Sequence, residues 1–233
     1  MISPYDWQEG IGHRGQYVES RLAGGSPVLA VSIEEGIVLL TFRKQARKLF
    51  EIYDELAMGA LGQQSDVEAM RQAAVDFAHQ EGFNRSEKDV TIHRVVNALS
   101  GPIKKAFADF SMVPVVARAI FAQVGTTPAR DAYAMLDFDG DFHARTGFGF
   151  VAPSETASAL IDRRLEELDR SALTSEQAIT ALKELWSESF QTEEVASTEE
   201  ITAGLGVEVI VLQRQPKGEN RFRYLTDFPE SLV

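Results

Sequence analysis

Short, continuous apolar runs occupy much of the first quarter of the chain and predict buried β-strands. The first two runs are rich in valine, isoleucine and leucine and flank Glu34–Glu35–Gly36, which predicts a hairpin turn. The four strands predicted in this region cover residues 28–33, 37–42, 49–53 and 56–61. Upstream, Gly10 and Gly12 disfavour a helix in the earliest part of the chain. Only a short helix over residues 13–23 is expected, ended by Gly24–Gly25.

From residue 65 onward the apolar residues lie three or four positions apart, which places them on one face of a helix. The members of this face are Val67, Met70, Ala74, Phe77 and Ala78. Gly82 is predicted to end this helix. A second helical pattern covers residues 92–107, and Gly101–Pro102 inside it predicts a kink or a break.

The second half of the chain returns to strands and then to helices. Three strands are predicted over residues 115–124, 132–138 and 142–150. Asp139–Gly140 between the last two suits a tight hairpin. One helix is predicted to open at Pro153–Ser154–Glu155, and Thr174–Ser175–Glu176–Gln177 resembles the capping box of the next. An acidic surface loop over residues 193–200 then leads to closing strands at 207–212 and 221–225.

Paired hairpins separated by pairs of helices favour one architecture. Alternating βαβ units would predict a parallel, doubly wound sheet, whereas the order here is strands, two helices, strands, two helices, strands. This order predicts an α+β fold, a four-layer αββα sandwich of two antiparallel sheets flanked by helix pairs. With 233 residues and 44% hydrophobic content, the chain is long enough for one such core.

Charge and cysteine content narrow the classes of function. The formal net charge of −12 repels phosphate backbones and anionic lipid, so neither nucleic acid nor membrane is an expected partner. The chain has no cysteine, which excludes disulfides and thiol catalysis and fits a reducing compartment. Without a secretory signal or an apolar run near the roughly 20 residues that cross a bilayer, a cytoplasmic location is predicted. The basic cluster of Arg43, Lys44, Arg47 and Lys48 is by default a solvated turn, and the alternative is an anion clamp.

Carboxylates and an imidazole crowd residues 136–143, a composition that could suggest metal ligands. The spacing does not fit a calcium loop, which needs glycine at its sixth position and a distal glutamate. A solvated hairpin turn is the preferred interpretation. The four histidines of the chain are scattered and have no cysteine partners, so no metal site and no cofactor are predicted.

Three segments together resemble proteasome subunits, and the bacterial α-type subunits most of all. They run from Gly25 to Lys44, from Lys48 to Asp54 and from Met58 to Gly62, and weaker similarity extends over the whole chain. Membership of this family implies the αββα sandwich of the N-terminal nucleophile hydrolases. The fold that the resemblance implies is therefore the same as the fold predicted from the order of strands and helices.

The amino end distinguishes the α from the β members of that family. In catalytic β subunits the first strand begins with a threonine freed by cleavage, whose own amine serves as the base for its hydroxyl. In this sequence Ser26 stands at that place, inside the chain and before Pro27, and the acidic partner of the family falls on or beside Phe42. The resemblance thus implies no catalytic residues. The alternative is a self-processing hydrolase in which cleavage between Gly25 and Ser26 frees Ser26 as the nucleophile.

Lys48 matches by position both the active-site lysine of β subunits, which in the hydrolase alternative would adjust the amine of Ser26, and the lysine with which α subunits bind an activator. In α rings this lysine pairs with the carboxylate of an activator's C-terminal tail, a charge-assisted contact that fixes orientation. Gly25 and Gly62 match the glycines that line the same pocket. The family often has an apolar residue beside these glycines, whereas this chain has Gln63. The difference affects which activator tail the pocket would prefer.

Tyr5–Asp6 resembles the pair that begins the gate segment of many α subunits. The expected domains are therefore a gate and ring-contact segment over residues 1–25 and a sandwich over residues 26–233. The resemblance implies a homo-oligomeric ring of seven copies, a separate proteasome β subunit, a ring-shaped ATPase or other activator, and unfolded protein substrates. A further alternative is a self-assembling relative with neither activity nor a β partner.

Overall fold

The computed structural model describes residues 4–170, 172–190, 202, 204–216, 218 and 220–225. These described residues contain five α-helices and ten β-strands. The helices are α1 Pro4–Leu22, α2 Gln64–Asn84, α3 Ile92–Ala108, α4 Glu155–Glu167 and α5 Ser175–Phe190. The strands are β1 Val28–Ile33, β2 Gly36–Arg43, β3 Leu49–Tyr53, β4 Leu56–Gly62, β5 Ala117–Gln123, β6 Ala132–Leu136, β7 Phe142–Arg145, β8 Phe148–Val151, β9 Gly206–Gln213 and β10 Phe222–Tyr224.

The strands form two five-stranded sheets, one in the order β10-β9-β2-β1-β8 and the other in the order β3-β4-β5-β6-β7. Every neighbouring pair is antiparallel. Helices α4 and α5 pack on the outer face of the first sheet, and α2 and α3 on that of the second. The four-layer αββα sandwich predicted from the sequence is confirmed.

Burial on both faces explains the continuous apolar runs of the central strands. Along β1, Val28 and Ala30 face the second sheet, whereas Leu29 and Val31 face α4 and α5. All six residues of β1 are buried. A strand between two apolar layers has no polar face, so its sequence lacks the alternation of a half-exposed strand.

The amino-terminal helix is longer than the glycines predicted. Helix α1 begins at Pro4 and includes Gly10, so the expectation of a helix only over residues 13–23 is wrong. A Cβ atom added to Gly10 would lie 2.7 Å from Cζ of Phe110, so this glycine permits close packing. Toward the other end of α1, Val18 and Leu22 are fully buried between the sheets and anchor the helix.

Neither Gly82 nor Gly101–Pro102 ends the helix that contains it. Helix α2 continues past Gly82 to Asn84, and a Cβ at Gly82 would lie 2.4 Å from the hydroxyl oxygen of Tyr53. Helix α3 runs through Pro102 without a break, held by an apolar face buried against the second sheet. In both places tertiary packing outweighs the local preference.

The predicted strand over residues 142–150 is two strands that belong to different sheets. Strand β7 pairs with β6 in the second sheet, and β8 pairs with β1 in the first. Between them Gly147 has φ +81, a conformation that L side chains rarely adopt. The hairpin at Asp139–Gly140 is confirmed, since Gly140 has φ +86 between β6 and β7.

The capping box predicted for α5 is confirmed by two reciprocal hydrogen bonds. The N–H of Gln177 donates to Oγ1 of Thr174 over 3.3 Å, and the N–H of Thr174 donates to Oε1 of Gln177 over 3.0 Å. Strands β9 and β10 close the first sheet as expected. The acidic loop predicted over residues 193–200 lies outside the described residues.

A buried ion pair ties the far end of β9 to two loops. Arg214 donates to Asp131 through both terminal nitrogens, over 2.6 and 2.9 Å. The same guanidinium donates to the carbonyl oxygens of Ile33, Glu34 and Gly125. Arg214 therefore links the β1–β2 hairpin to the loop between β5 and β6.

Candidate carboxylate-binding site

Lys48 lies immediately before β3, at the edge where the two sheets face each other. Its backbone N–H donates to Oε2 of Glu208 on β9 over 2.9 Å, and its ammonium donates to the carbonyl oxygen of Ser26 over 3.1 Å. Its carbonyl oxygen accepts from the N–H of Ala60 on β4 over 3.0 Å. The lysine is thus positioned by residues from both sheets.

Burial determines the electrostatics of this lysine. Desolvation lowers the pKa of Lys48 to about 8, and the negative charge of Glu208 opposes that shift. Burial also raises the pKa of Glu208, against the backbone N–H groups of Lys48 and Leu49 and the charge of Arg43. Lys48 is therefore mostly charged at neutral pH, and it begins to lose its proton just above that pH.

The two predicted glycines stand where the chain approaches itself closely, one next to Ser26 and one at the end of β4. A Cβ at Gly25 would lie 2.9 Å from the carbonyl oxygen of Leu22 and 3.2 Å from Cδ1 of Leu61. Gly62 has φ +142, and a Cβ there would lie 2.2 Å from the carbonyl oxygen of Val116. Both positions thus exclude a side chain. Gly25 directly precedes Ser26, whose carbonyl oxygen accepts from Lys48. Gly62 directly follows Leu61, whose side chain a Cβ at Gly25 would touch.

The arrangement can bind a carboxylate. An ammonium has three N–H donors, and Ser26 accepts from only one of those of Lys48. Two N–H donors of the ammonium therefore remain for an anion that reaches this partly exposed lysine. A charge-assisted hydrogen bond of this kind is shorter and stronger than a neutral one.

The hydroxyl group of Ser26 is occupied by a chain of hydrogen bonds. Nε1 of Trp186 donates to Oγ of Ser26 over 3.1 Å, and Oγ lies 3.1 Å from Oγ1 of Thr41. Thr41 in turn donates to the carbonyl oxygen of Pro27 over 2.7 Å. With the indole as donor and Thr41 committed to Pro27, the Ser26 hydroxyl donates to Thr41. Neither hydrogen-bond partner of this hydroxyl, Trp186 or Thr41, is a base.

Aromatic side chains, and not an acidic residue, pack around the indole that donates to Ser26. The rings of Phe42 and Trp186 lie 4.2 Å apart between centroids, and Trp186 stacks on Phe190 at 4.6 Å. Trp186 belongs to an apolar helical stripe in the sequence, which signals burial but not its bond to Ser26. Glu208 was missed as well, since one glutamate in a strand carries no local signal.

Tyr5 and Asp6 lie apart from Lys48. They occupy the first turn of α1, and with a rise of about 1.5 Å per residue they stand about 25 Å along the axis from its last turn. Tyr5 is 75% exposed. The predicted site residues therefore form two groups, one around Lys48 and one at the start of α1.

Two negative findings concern the described part of the chain. Within it, no three histidine, cysteine, aspartate or glutamate side chains are arranged to hold a metal ion. Its helices include none that is both long and apolar enough to span a bilayer.

Comparisons with known proteins agree with this architecture. The family model for proteasome subunits matches residues 23–204. The proteasome subunit alpha of Xylanimonas cellulosilytica is 29% identical over 171 residues, which cover 71% of this chain and 67% of the relative. That of Streptosporangium roseum is 29% identical and covers 72% and 64%. That of Pseudarthrobacter chlorophenolicus is 28% identical over 221 residues and covers 92% and 90%.

The fold defines the class of protein first: an αββα sandwich of two antiparallel five-stranded sheets flanked by helix pairs. The particular family follows from the match over most of the sequence. The chain belongs to the proteasome subunit family, and it is similar to bacterial α subunits. The resemblance inferred from the sequence is confirmed.

Proposed function

We propose that this chain is a non-catalytic α-ring subunit of a bacterial proteasome core particle, located in the cytoplasm. Seven copies would form a ring that stacks on a ring of separate β subunits carrying the threonine nucleophiles. Membership of the proteasome family and similarity to proteins named α subunits support this proposal. The ring would admit unfolded protein to the chamber.

The observation that carries the non-catalytic assignment is the environment of Ser26. The hydroxyl accepts from Trp186 and contacts Thr41, and Phe42 packs against the same indole. A nucleophile activated by its own amine requires a free amino end. Gly25 precedes Ser26 without interruption, and its N–H donates to the carbonyl oxygen of Leu22 over 2.7 Å.

Lys48, Gly25 and Gly62 form the proposed docking pocket for the C-terminal tail of a ring-shaped ATPase or other activator. The terminal carboxylate would accept from the ammonium of Lys48, and the two glycines would let the tail approach the backbone. The partly exposed Lys48, with ammonium donors that Ser26 does not use, and the glycines without room for a side chain support this role. Binding there would position the activator over the entrance.

Residues 1–25 form the proposed gate and ring-contact segment, with Tyr5 and Asp6 near its beginning. Trp7 and Tyr17 on α1 are 46% and 50% exposed, and Val113 nearby in the fold is 82% exposed. Exposed apolar side chains that form a contiguous patch mark surfaces that bind other proteins. Contact with the next copy in the ring would bury them.

The intact mass of the purified protein distinguishes the ring subunit from the alternative, a self-processing hydrolase. The hydrolase requires loss of residues 1–25, whereas the ring subunit retains them. Electron microscopy after co-expression with candidate β subunits then counts the rings. A mature form that begins with Ser26 and cleaves peptides alone would refute the proposal.

The Lys48→Ala variant tests the docking pocket. It should leave ring assembly intact and weaken activator-stimulated degradation by about 1.5–3 kcal/mol per site, the range for a hydrogen bond to a charged group. Lys88→Ala, which removes an exposed lysine between α2 and α3, serves as the control and should leave stimulation unchanged. Unchanged stimulation in Lys48→Ala would exclude Lys48 from the pocket.

A further inference from the structure

A groove of about 820 Å³ opens at the edge of the sandwich where β7 and β8 lie. The second half of α1, strands β6 to β8 and the start of α4 enclose it. The half-buried rings of Phe142 and Phe150 form part of its wall, and Arg118 and His143 also line it. Its carboxylates are those of Glu19, Asp137, Asp139, Asp141 and Glu155. This surface is named here the acidic groove.

Only part of the negative charge in the acidic groove is neutralised within the chain. Nε of Arg118 donates to Oδ1 of Asp137 over 2.9 Å, and its Nη2 lies 3.9 Å from Oε1 of Glu19. The three other carboxylates form no ion pair with any residue that the structure describes. Partial burial, and then the negative charges of Asp137 and Asp141, raise the pKa of Asp139. A cation brought from outside would relieve this repulsion.

Residues 43–48, where β2 ends and β3 begins, form a surface of opposite charge, named here the basic loop. Its cations are Arg43, Lys44, Arg47 and Lys48. Glu208 offsets part of this charge, since its Oε2 lies 3.6 Å from Nε of Arg43. Lys44 and Arg47 are exposed. Because the net charge of −12 makes copies of this chain repel one another, the basic loop is a surface that an acidic patch of another copy can approach.

The basic loop and the acidic groove lie at opposite edges of the sandwich but at the same end of its strands. The basic loop leads into β3 and the turn 137–141 of the groove leads into β7, and these are the two edge strands of the second sheet. One row of paired residues crosses this sheet through Leu49, Gly59, Ile120, Met135 and His143. The basic loop directly precedes the first residue of that row, and the turn ends two residues before the last. A copy therefore cannot fill its own groove with its own loop, whereas a neighbouring copy placed edge to edge can.

We propose that the acidic groove binds the basic loop of a second copy of this chain, so that the cations of the loop face the carboxylates of the groove. Loop and groove are different surfaces, so the contact is heterologous, and each added copy leaves one loop and one groove free. Such a contact repeats in one direction and closes into a ring where its rotation permits. The inference rests on the proposed function, because the occupant of the groove is a neighbouring subunit of the ring.

Charge reversal in the full-length protein tests the contact, with association followed by sedimentation velocity. The loop variant Lys44→Glu/Arg47→Glu reverses two exposed cations, and the groove variant Asp141→Lys/Glu155→Lys reverses two exposed carboxylates. Either variant should raise the concentration of half-maximal association by about a hundredfold or more, because like charges then face each other. Salt should weaken the association of the wild type, since it screens these charges.

A variant that combines all four substitutions provides the rescue. It has the net charge of the wild type and again places opposite charges on the two surfaces, so it should regain association. Lys88→Glu/Arg163→Glu is the matched control, because it changes the net charge as much as the loop variant does, at exposed residues elsewhere. The control should associate as the wild type does. Circular dichroism shows that each variant is folded.

The outcomes separate the inference from the proposed function. Association that neither the loop variant nor the groove variant weakens, or that the combined variant does not restore, would overturn the inference and leave the proposed ring standing. A wild-type protein that stays monomeric at its highest soluble concentration also rejects the contact. Electron microscopy of particles co-expressed with β subunits then decides separately whether the ring forms, and the absence of rings there would reject the proposed function as well.

Discussion

Raising the pH from 7 to 9 should release a C-terminal carboxylate from Lys48. Burial lowers the pKa of this lysine to about 8, and only the ammonium form binds the anion strongly. The ammonium fraction is therefore about 90% at pH 7 and about 10% at pH 9. Because binding requires the proton, affinity falls as pH rises, and the dissociation constant should increase about tenfold.

The neighbouring Tyr224 does not titrate in this window, because burial raises the pKa of its hydroxyl above the ordinary value of 10.0. A tenfold change equals about 1.4 kcal/mol. That is close to the lower end of the roughly 1.5–3 kcal/mol expected for a hydrogen bond to a charged group, so the loss of one contact accounts for it.

The assay compares a dye-labelled peptide ending in a free carboxylate with its amide, at pH 7, 8 and 9 and constant ionic strength. Lys48→Arg is the matched control, because arginine keeps its charge throughout and should show affinity independent of pH. The reasoning is refuted if the wild-type protein binds equally well at pH 7 and pH 9, or if Lys48→Arg shows the same dependence.

Two predictions concern stability, measured by urea unfolding. Arg214→Met leaves the buried carboxylate of Asp131 without its partner and should cost about 3–5 kcal/mol, whereas Arg164→Met in a surface pair should cost about 1 kcal/mol or less. Similar costs would contradict the role of burial. Gly62→Ala should destabilise the protein by more than about 1 kcal/mol, because its φ is positive and a carbonyl oxygen occupies the space. Gly101→Ala, in a helix with open space around it, should stabilise by about 0.5–1 kcal/mol, and a loss there would contradict the reasoning.

Local patterns were sufficient for most elements because each depends on neighbours in the sequence. The apolar runs of β1 to β4 and the helical spacing of α2 and α5 predicted elements that the structure contains. Errors arose where a distant side chain changed the local preference. Gly10 accommodates Phe110 and Gly82 accommodates Tyr53, and neither contact has a signal in the adjacent sequence.

The candidate site shows the same division. The sequence brought Lys48 to attention only through family resemblance, since a single lysine has no pattern of its own. Glu208, which holds the backbone of Lys48, lies 160 residues away, as Trp186 does from Ser26. Such pairs form only after both sheets and α5 have packed.

The sequence alone determined the αββα order, because the period of apolar residues records which faces each element buries. It also places Ser26 after 25 residues and before Pro27, and its resemblance to proteasome subunits implies that the family's acidic partner falls on or beside Phe42. Only the tertiary structure decided the lowered pKa of Lys48, the hydrogen bonds of the Ser26 hydroxyl, and the crossing at Gly147 from one sheet to the other. These properties depend on desolvation and on contacts between distant segments, which exist only once the layers are assembled.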